Sequence, residues 1–459
     1  MNKSILLFGR FLLYFLIISA VTSLQSFKKN TPVANGTYAS SYNTDVLNKW
    51  MEMQIKLMST TIANFNGPFV RVYAYTALAG YESILPGIPK NSSHLFSTTF
   101  LNKLPALPAI ESGKKYHWPS SVNAALAYMN RAMFPITSPS NRVAMDSLEI
   151  QLKKQFSKDA DAATIERSSN YGKLVAQIIF EWAETDGYRH ASDPYVPPGG
   201  KGKWVPTPPN FVKASTPYWG GLRTMVIGSI ENTQPSPPPS YSEDTASMFY
   251  KMIKEVYDVD QSMTSQQKDI VLFWRDINPG MTAPGHWMNV LRQVLEKEEK
   301  KIGLDKAAFA YALTGMALND SWISCWKTRY EYNLLRPVTF IRNVMGHSEW
   351  LPMLSTPPHP EYTSGFAAMA GAVCESLAIV FGNNYKITDH SYDYLGMNPR
   401  HYDSFYAMAE EAGNSKFYGG IHYKLSVDVG LKQGQAVAKN IEGILFNETA
   451  KTKLSAKTP

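Results

Sequence analysis

Apolar residues recur every three or four positions along most of the chain. This spacing places apolar side chains on one face of an α-helix. It predicts helices at 42–65, 69–84, 121–133, 146–157, 161–184, 243–257, 265–273, 286–300, 306–335, 365–381, 402–412 and 423–446. The alternating pattern of half-buried strands is scarce, and no repeat of fixed period occurs. The sequence therefore predicts an all-α protein built of packed helical bundles.

Residues 193–242 differ, because this stretch is rich in proline, glycine, threonine and tryptophan. Proline removes backbone donors and fixes φ, which excludes a helix. Four aromatic residues argue against a free linker: Trp204, Phe211, Tyr218 and Trp219. We expect an ordered loop that lies over the helices and forms a wall of a site. It separates helical regions 27–192 and 243–450, which we expect to form one continuous domain.

The first 26 residues have the pattern of a secretory signal peptide. Lys3 provides a positive start, residues 11–24 are almost continuously apolar, and small residues follow. This apolar run is short for a membrane-spanning helix, although an uncleaved anchor is the alternative. No other stretch is long and apolar enough to span a membrane. We expect a mature chain without a membrane span, exported to the periplasm or the extracellular space.

The composition is typical of a folded globular protein, with 459 residues, 44% hydrophobic and 18% charged. The net charge of +7 is spread along the chain without a dense Lys/Arg run. We therefore expect no nucleic-acid partner. Cys325 and Cys374 lie in apolar helical patterns, which favours buried free thiols over a disulfide. The oligomeric state stays open, and a homo-oligomer is one alternative.

Two arginines mark the start of a candidate site. Arg329 and Arg336 are seven residues apart, with Pro337 directly after the second. If residues 320–336 form one helix, both arginines point from the same face, two turns apart. Guanidinium groups suit pairs of oxygen atoms, as in phosphate. A salt-bridged helix face is the structural alternative.

Three further segments add groups that bind anions. Ser364 and Gly365 precede an apolar run, so their backbone amides are expected at the positive end of a helix. Lys416 adds a third cation, and His422 follows the Gly419-Gly420 pair. Together these residues predict a site for a tetrahedral or trigonal-bipyramidal oxyanion such as phosphate or vanadate, bound through a histidine nitrogen.

The spacing of these segments resembles the vanadium-dependent haloperoxidase and type 2 phosphatidic acid phosphatase superfamily. Its motifs read K-x6-R-P, P-S-G-H and S-R-x5-H-x3-D. Segments 204–209, 219–220, 273–276 and 284–287 are also similar to soluble secreted bacterial members. The resemblance implies that vanadate or phosphate is held by the residues named above, with His422 as the vanadium ligand or as the nucleophile of a phosphatase.

The chain departs from the family motifs at four positions. Arg329 stands in place of the lysine and Lys416 in place of the second-motif arginine, so both charges are kept. Ser426 replaces the aspartate that orients the histidine, which predicts a less basic His422. Phe366 replaces the acid–base histidine, and a phenyl ring cannot transfer a proton.

His359 lies seven residues before Phe366, in the segment His-Pro-Glu-Tyr. Algal bromoperoxidase-like members of the family carry a histidine at this place. The hypothesis is that His359 supplies part of the missing proton transfer. The alternative is that it only lines the pocket.

The resemblance implies a haloperoxidase that uses vanadate and hydrogen peroxide to oxidise halide. Loss of the acid–base histidine favours bromide or iodide over chloride, which is harder to oxidise. Two alternatives remain open. One is a secreted acid phosphatase that acts on phosphomonoesters through a phosphohistidine, and the other is a non-catalytic phosphate-binding member.

Overall fold

The protein is described by a computed structural model that covers residues 37–61, 69–277 and 280–446. The predicted signal peptide at 1–26 lies outside the described residues. The α-helices are α1 Asp45–Thr60, α2 Phe69–Glu82, α3 Trp118–Met133, α4 Pro139–Phe156, α5 Ala162–Ala183, α6 Met248–Gln261, α7 Ser265–Phe273, α8 Ala283–Lys297, α9 Leu304–Tyr332, α10 Pro337–Asn343, α11 Gly365–Phe381, α12 Phe405–Tyr418 and α13 Lys424–Phe446. One small antiparallel sheet pairs β1 Ile387–Asp389 with β2 Arg400–Tyr402. The all-α prediction is confirmed.

Side-chain caps set the start of several helices. Ser138, Asp161 and Ser247 each accept a hydrogen bond from the third residue of the helix that follows. Thr264 and Gln267 form a reciprocal capping box at the start of α7. These caps satisfy backbone amides that have no partner inside a helix. The apolar spacing did not reveal α10, because seven residues are too few to show a helical period.

Helix α9, 29 residues long, joins the two halves of the molecule. It packs against α2 on the N-terminal side and against α11 on the C-terminal side. Around it, α3 pairs with α5, and α11 pairs with α13. The main hydrophobic core is one contiguous cluster of buried side chains, which includes Val46 of α1 and Leu445 of α13. Of the helices that the structure describes, none is long and apolar enough to cross a membrane.

Helices α11 and α13 approach each other closely because glycines face the partner backbone. A Cβ atom at Gly371 would lie 2.1 Å from the Leu431 carbonyl oxygen, and one at Gly434 would lie 1.9 Å from the Ala368 carbonyl oxygen. Only glycine permits this packing. The close contact holds the N-terminal ends of both helices side by side, and both ends carry residues of the candidate site.

Residues 193–242 form no α-helix and lie against the helical core, as expected. Trp204 and Trp219 are fully buried and anchor the segment. Phe211 and Tyr218 were expected to help, but they are 61% and 46% exposed. Buried Asp320 of α9 adds a second anchor, because its carboxylate accepts hydrogen bonds from two backbone amides and one serine of this segment.

The two cysteines lie in buried positions of α9 and α11. Cys325 and Cys374 are both free, so the prediction of buried thiols is confirmed. Burial raises the pKa of Cys374 well above its ordinary value, which keeps that thiol protonated.

Candidate active site

The two arginines of the first motif lie on different elements, so the prediction of one continuous helix over 320–336 is wrong. Helix α9 ends at Tyr332, and Asn333 takes the left-handed conformation with φ of 50°. Arg336 is the N-cap of α10, with Pro337 in the first helical position. Asparagine tolerates this conformation, which lets the chain turn sharply between the helices. The arginines therefore converge through the turn and not along one helix face.

Both guanidinium groups point at the same histidine. Arg329 Nη1 lies 2.5 Å and Arg336 Nη2 lies 2.9 Å from His359 Nδ1. A guanidinium can only donate, so Nδ1 is the acceptor and the ring proton is on Nε2. Burial lowers the pKa of His359 well below its ordinary value, and the charges of the two arginines lower it further. His359 is thus neutral, and its Nδ1 lone pair accepts hydrogen bonds from both arginines.

His422 is oriented by a carboxylate that the sequence analysis did not identify. Its Nδ1 lies 2.7 Å from Glu361 Oε1, which also accepts a hydrogen bond from the Tyr423 amide. Ser426 donates to the other oxygen, Glu361 Oε2, at 2.6 Å. The carboxylate that orients His422 therefore comes from position 361, whereas the family motif has it at position 426. Ser426 donates a hydrogen bond to it. An orienting carboxylate is thus present although Ser426 replaces the family aspartate.

The pairing of His422 with Glu361 determines the protonation state of the His422 ring. Burial raises the pKa of Glu361 to about 7, and the nearby Arg336 opposes that rise. Burial, together with Arg336 and Arg329, lowers the pKa of His422 well below its ordinary value. The ring is therefore neutral, with Nδ1–H donated to Glu361. Its Nε2 lone pair faces the cations, 3.4 Å from Arg336 Nη1.

The start of α11 provides backbone amides near these groups. Ser364 is the N-cap and its Oγ accepts a hydrogen bond from the Ala367 amide. The amides of Gly365 and Phe366 lie in the first turn, where backbone N–H groups have no acceptor within a helix. A Cβ at Gly365 would lie 3.3 Å from Arg329 Nη2, so glycine keeps this space open. Such a helix start binds anions.

Lys416, the third cation, lies in the last turn of α12 and is buried. Its Nζ donates to the backbone oxygen of Trp274 and stands 3.8 Å from the centre of the Phe366 ring. Burial lowers the pKa of Lys416 to about 8, and the charge of Asp276 opposes this decrease. The phenyl ring that replaces the family histidine therefore packs under a cation and cannot take its proton.

A cavity of about 340 Å³ opens beside these groups. His359 and Asp276 contribute its polar wall, and Ser215 and Thr216 come from the Pro-rich loop. The rest of its lining is mostly apolar, and the larger side chains are Met58, Val70, Trp219, Met281, Trp322, Trp326 and Met369. Of the predicted site residues, His359 is the one that lines this cavity.

Two acidic groups of the site were missed from the sequence. Glu361 lies in the segment that was singled out for His359, and a glutamate next to a motif that lacks its aspartate was the available signal. Asp276 was noted only as part of a similar segment. It binds His286, which in turn binds Asp389, and these three residues are far apart in sequence. No local pattern joins them.

Comparisons with known proteins identify a related family and related folds. Residues 309–446 match the family described as the second helical-bundle domain of VCPO. The crystal structure of the first bacterial vanadium-dependent iodoperoxidase is 30% identical, with a TM-score of 0.76 over 91% of this chain and 98% of that chain. No curated protein matches this chain.

A bacterial vanadium-dependent chloroperoxidase is similar in fold. Its apo form is 16% identical with a TM-score of 0.60, over 84% of this chain and 94% of that chain. Its holo form is 15% identical with a TM-score of 0.58, over 83% and 91%. Taken with the iodoperoxidase, these findings show that the chain belongs to the vanadium-dependent haloperoxidase family.

Proposed function

We propose that this haloperoxidase binds vanadate at His422 and oxidises iodide and bromide with hydrogen peroxide. The observation that carries the proposal is the fixed Nε2 lone pair of His422. Glu361 holds the ring proton on the opposite nitrogen, so Nε2 carries the lone pair that can bind vanadium. Among the described residues, the one hydrogen-bond contact of this nitrogen is the long one to Arg336 Nη1, at 3.4 Å. His422 Nε2 thus lies next to Arg336. Arg336 and Arg329 both contact His359.

The residues around His422 fit an oxyanion such as vanadate. Arg329, Arg336 and Lys416 provide three positive charges, and Glu361 provides one negative charge on the far side of the His422 ring. The difference, three minus one, leaves two net positive charges to balance an anion. Burial strengthens these interactions because water does not screen them.

Each residue has a defined part in the proposed reaction. Bound vanadate supplies the Lewis acidity that activates peroxide toward halide. The three cations offset the negative charge of the oxyanion, and Ser364 with the Gly365 amide would hold its oxygens. His359 is limited to donating from Nε2, since both arginines occupy Nδ1. Its part in proton transfer is therefore that of a donor.

Iodide and bromide are the expected substrates for two reasons. Phe366 removes the acid–base histidine of the family motif, and chloride is the hardest of the three halides to oxidise. The relative with 30% identity is itself an iodoperoxidase. Chloride oxidation as fast as iodide oxidation would contradict this part of the proposal.

The test uses mature protein stripped of anions and reloaded with orthovanadate or with phosphate. Iodide and bromide oxidation should appear only with orthovanadate, and His422→Ala should abolish it. His401→Ala is the matched control, because His401 is exposed on β2, away from the site. Full activity in His422→Ala would show that the centre is elsewhere.

The same assay distinguishes the two alternative functions, a phosphatase and a non-catalytic phosphate-binding protein. Hydrolysis of an aryl phosphate by the unloaded protein, lost in His422→Ala, would support a phosphatase. Phosphate binding without either activity would support a non-catalytic member. Export is a separate proposal, which rests on residues 1–26. N-terminal sequencing of protein from a secreting host should find a start near residue 27.

A further inference from the structure

Asp276 lines the cavity, and one of its carboxylate oxygens is buried without a partner in the described part of the chain. Its Oδ1 accepts hydrogen bonds from Tyr392 at 2.7 Å and from His286 Nδ1 at 2.8 Å. Its Oδ2 is buried and has no hydrogen-bond partner among the residues that the structure describes. An unpaired buried carboxylate oxygen is costly, so a molecule that donates a hydrogen bond to it is needed.

The buried cluster behind Asp276 fixes the position of this carboxylate. His286 lies between Asp276 and Asp389, with its Nε2 at 2.8 Å from Asp389 Oδ2. Burial by itself lowers the pKa of His286, but the two carboxylates outweigh it and raise the pKa to about 10. His286 is therefore an imidazolium.

Asp276 also lies next to the oxyanion site. Its charge acts on Lys416, and the Lys416 ammonium donates to Trp274, two residues before Asp276. The Trp274 ring meets Phe366 edge-on, with centroids 6.2 Å apart. Asp276 lines the same cavity as His359. The segment that carries Asp276 thus contacts the ring that replaces the acid–base histidine.

We propose that Asp276 is the proton acceptor for hydrogen peroxide in place of the missing histidine. This inference rests on the proposed function. In the step, one O–H bond of hydrogen peroxide breaks, the proton goes to Asp276 Oδ2, and the electron pair stays on the oxygen of the hydroperoxide anion. The Lys416 ammonium, which interacts electrostatically with Asp276, stabilises that anion. His359 cannot accept this proton at Nδ1, which is occupied by two guanidinium groups.

Asp276→Asn tests the proposal, because asparagine keeps the shape and loses the base. Asp389→Asn is the matched control, since Asp389 holds the same imidazolium from the side away from Asp276. With saturating iodide, Asp276→Asn should lower kcat/KM for hydrogen peroxide about 100- to 10,000-fold. Asp389→Asn should cost less than about tenfold. Equal losses in the two variants would assign Asp276 a structural role and overturn the proposal.

Phe366→His provides the rescue. Added to Asp276→Asn, it restores an acid–base group beside Lys416 and should recover at least about tenfold in kcat/KM. No recovery, in a double variant that binds phosphate with the affinity of the wild type, would contradict the proposal. Melting temperatures show for each variant that the fold is intact. Calorimetric phosphate titrations show that the anion-binding residues are intact.

Infrared spectroscopy gives a readout that does not depend on turnover. Adding hydrogen peroxide without halide should produce the C=O band of a protonated carboxyl in the wild type and in Asp389→Asn. The band should be absent in Asp276→Asn, and its presence there would overturn the proposal. If the wild type oxidises no halide, the proposed function fails, and this band still decides whether Asp276 accepts the proton.

Discussion

Replacing Glu361 by glutamine should weaken the site's preference for vanadate over phosphate. Glu361 is fully buried and accepts hydrogen bonds from His422, the Tyr423 amide and Ser426. Glutamine keeps an oxygen for His422 but removes the negative charge. The hydrogen bond from His422 Nδ1 then changes from charge-assisted to neutral, which makes Nε2 a poorer ligand.

The expected magnitude follows from this one hydrogen bond. A hydrogen bond to a charged group contributes about 1.5–3 kcal/mol, whereas a neutral one contributes about 0.5–1.5 kcal/mol. The loss of about 1–2 kcal/mol corresponds to roughly a 5- to 30-fold change in an equilibrium constant. This agrees with the 10- to 100-fold change that is typical when the partner of a ligating histidine is lost (about 1.4–2.7 kcal/mol).

A second effect has the opposite sign, so the assay compares two anions. Removing the negative charge of Glu361 reduces its repulsion of any bound anion, which strengthens both vanadate and phosphate. Only vanadate gains from a basic Nε2, because phosphate binds here through charge and hydrogen bonds. The ratio of the two dissociation constants therefore isolates the contribution of the histidine. Calorimetry on stripped protein measures both constants.

Two variants serve as controls for Glu361→Gln. Ser426→Ala removes one hydrogen bond and keeps the charge, so the affinity ratio should stay within about threefold of the wild type. Glu361→Gln combined with Ser426→Asp returns a carboxylate to the position used by the family motif and should restore the ratio. A ratio unchanged in Glu361→Gln would refute the reasoning that Glu361 sets the ligand strength of His422.

Three further predictions concern stability and anion binding. Both oxygens of Glu82 lack a hydrogen-bond partner among the described residues, and burial raises its pKa to about 8. The folded state therefore holds a proton that the unfolded state releases near pH 4.5, so the free energy of unfolding should fall from pH 5 to pH 8 by about 3.5 kcal/mol. Urea denaturation should show this decrease in the wild type and not in Glu82→Gln. Burial lowers the pKa of Lys416 to about 8, so phosphate affinity should decrease above pH 8 in the wild type and persist in Lys416→Arg, as measured by calorimetry. Gly365→Ala would place a Cβ 3.3 Å from Arg329 Nη2 and should cost about tenfold in phosphate affinity, whereas Gly443→Ala, with open space around it, should leave that affinity unchanged.

Much of the helical architecture is predictable from the sequence because it follows from local periodicity. Each of the twelve segments with apolar spacing contains a helix, with ends shifted by up to seven residues. The Ser364 cap also follows from local chemistry. Helix α10 and the β1–β2 pair were missed, since elements of seven and three residues carry too little pattern.

The sequence by itself determined which kinds of side chain are present at the site and their spacing within each motif. The tertiary structure decided which of them meet. Glu361 reaches His422 across 61 residues of sequence because α11 and α13 pack closely through glycines. Asp276 and Asp389 meet on opposite sides of His286. Such pairings depend on how distant elements pack, and the residues next to each partner in the sequence do not encode them.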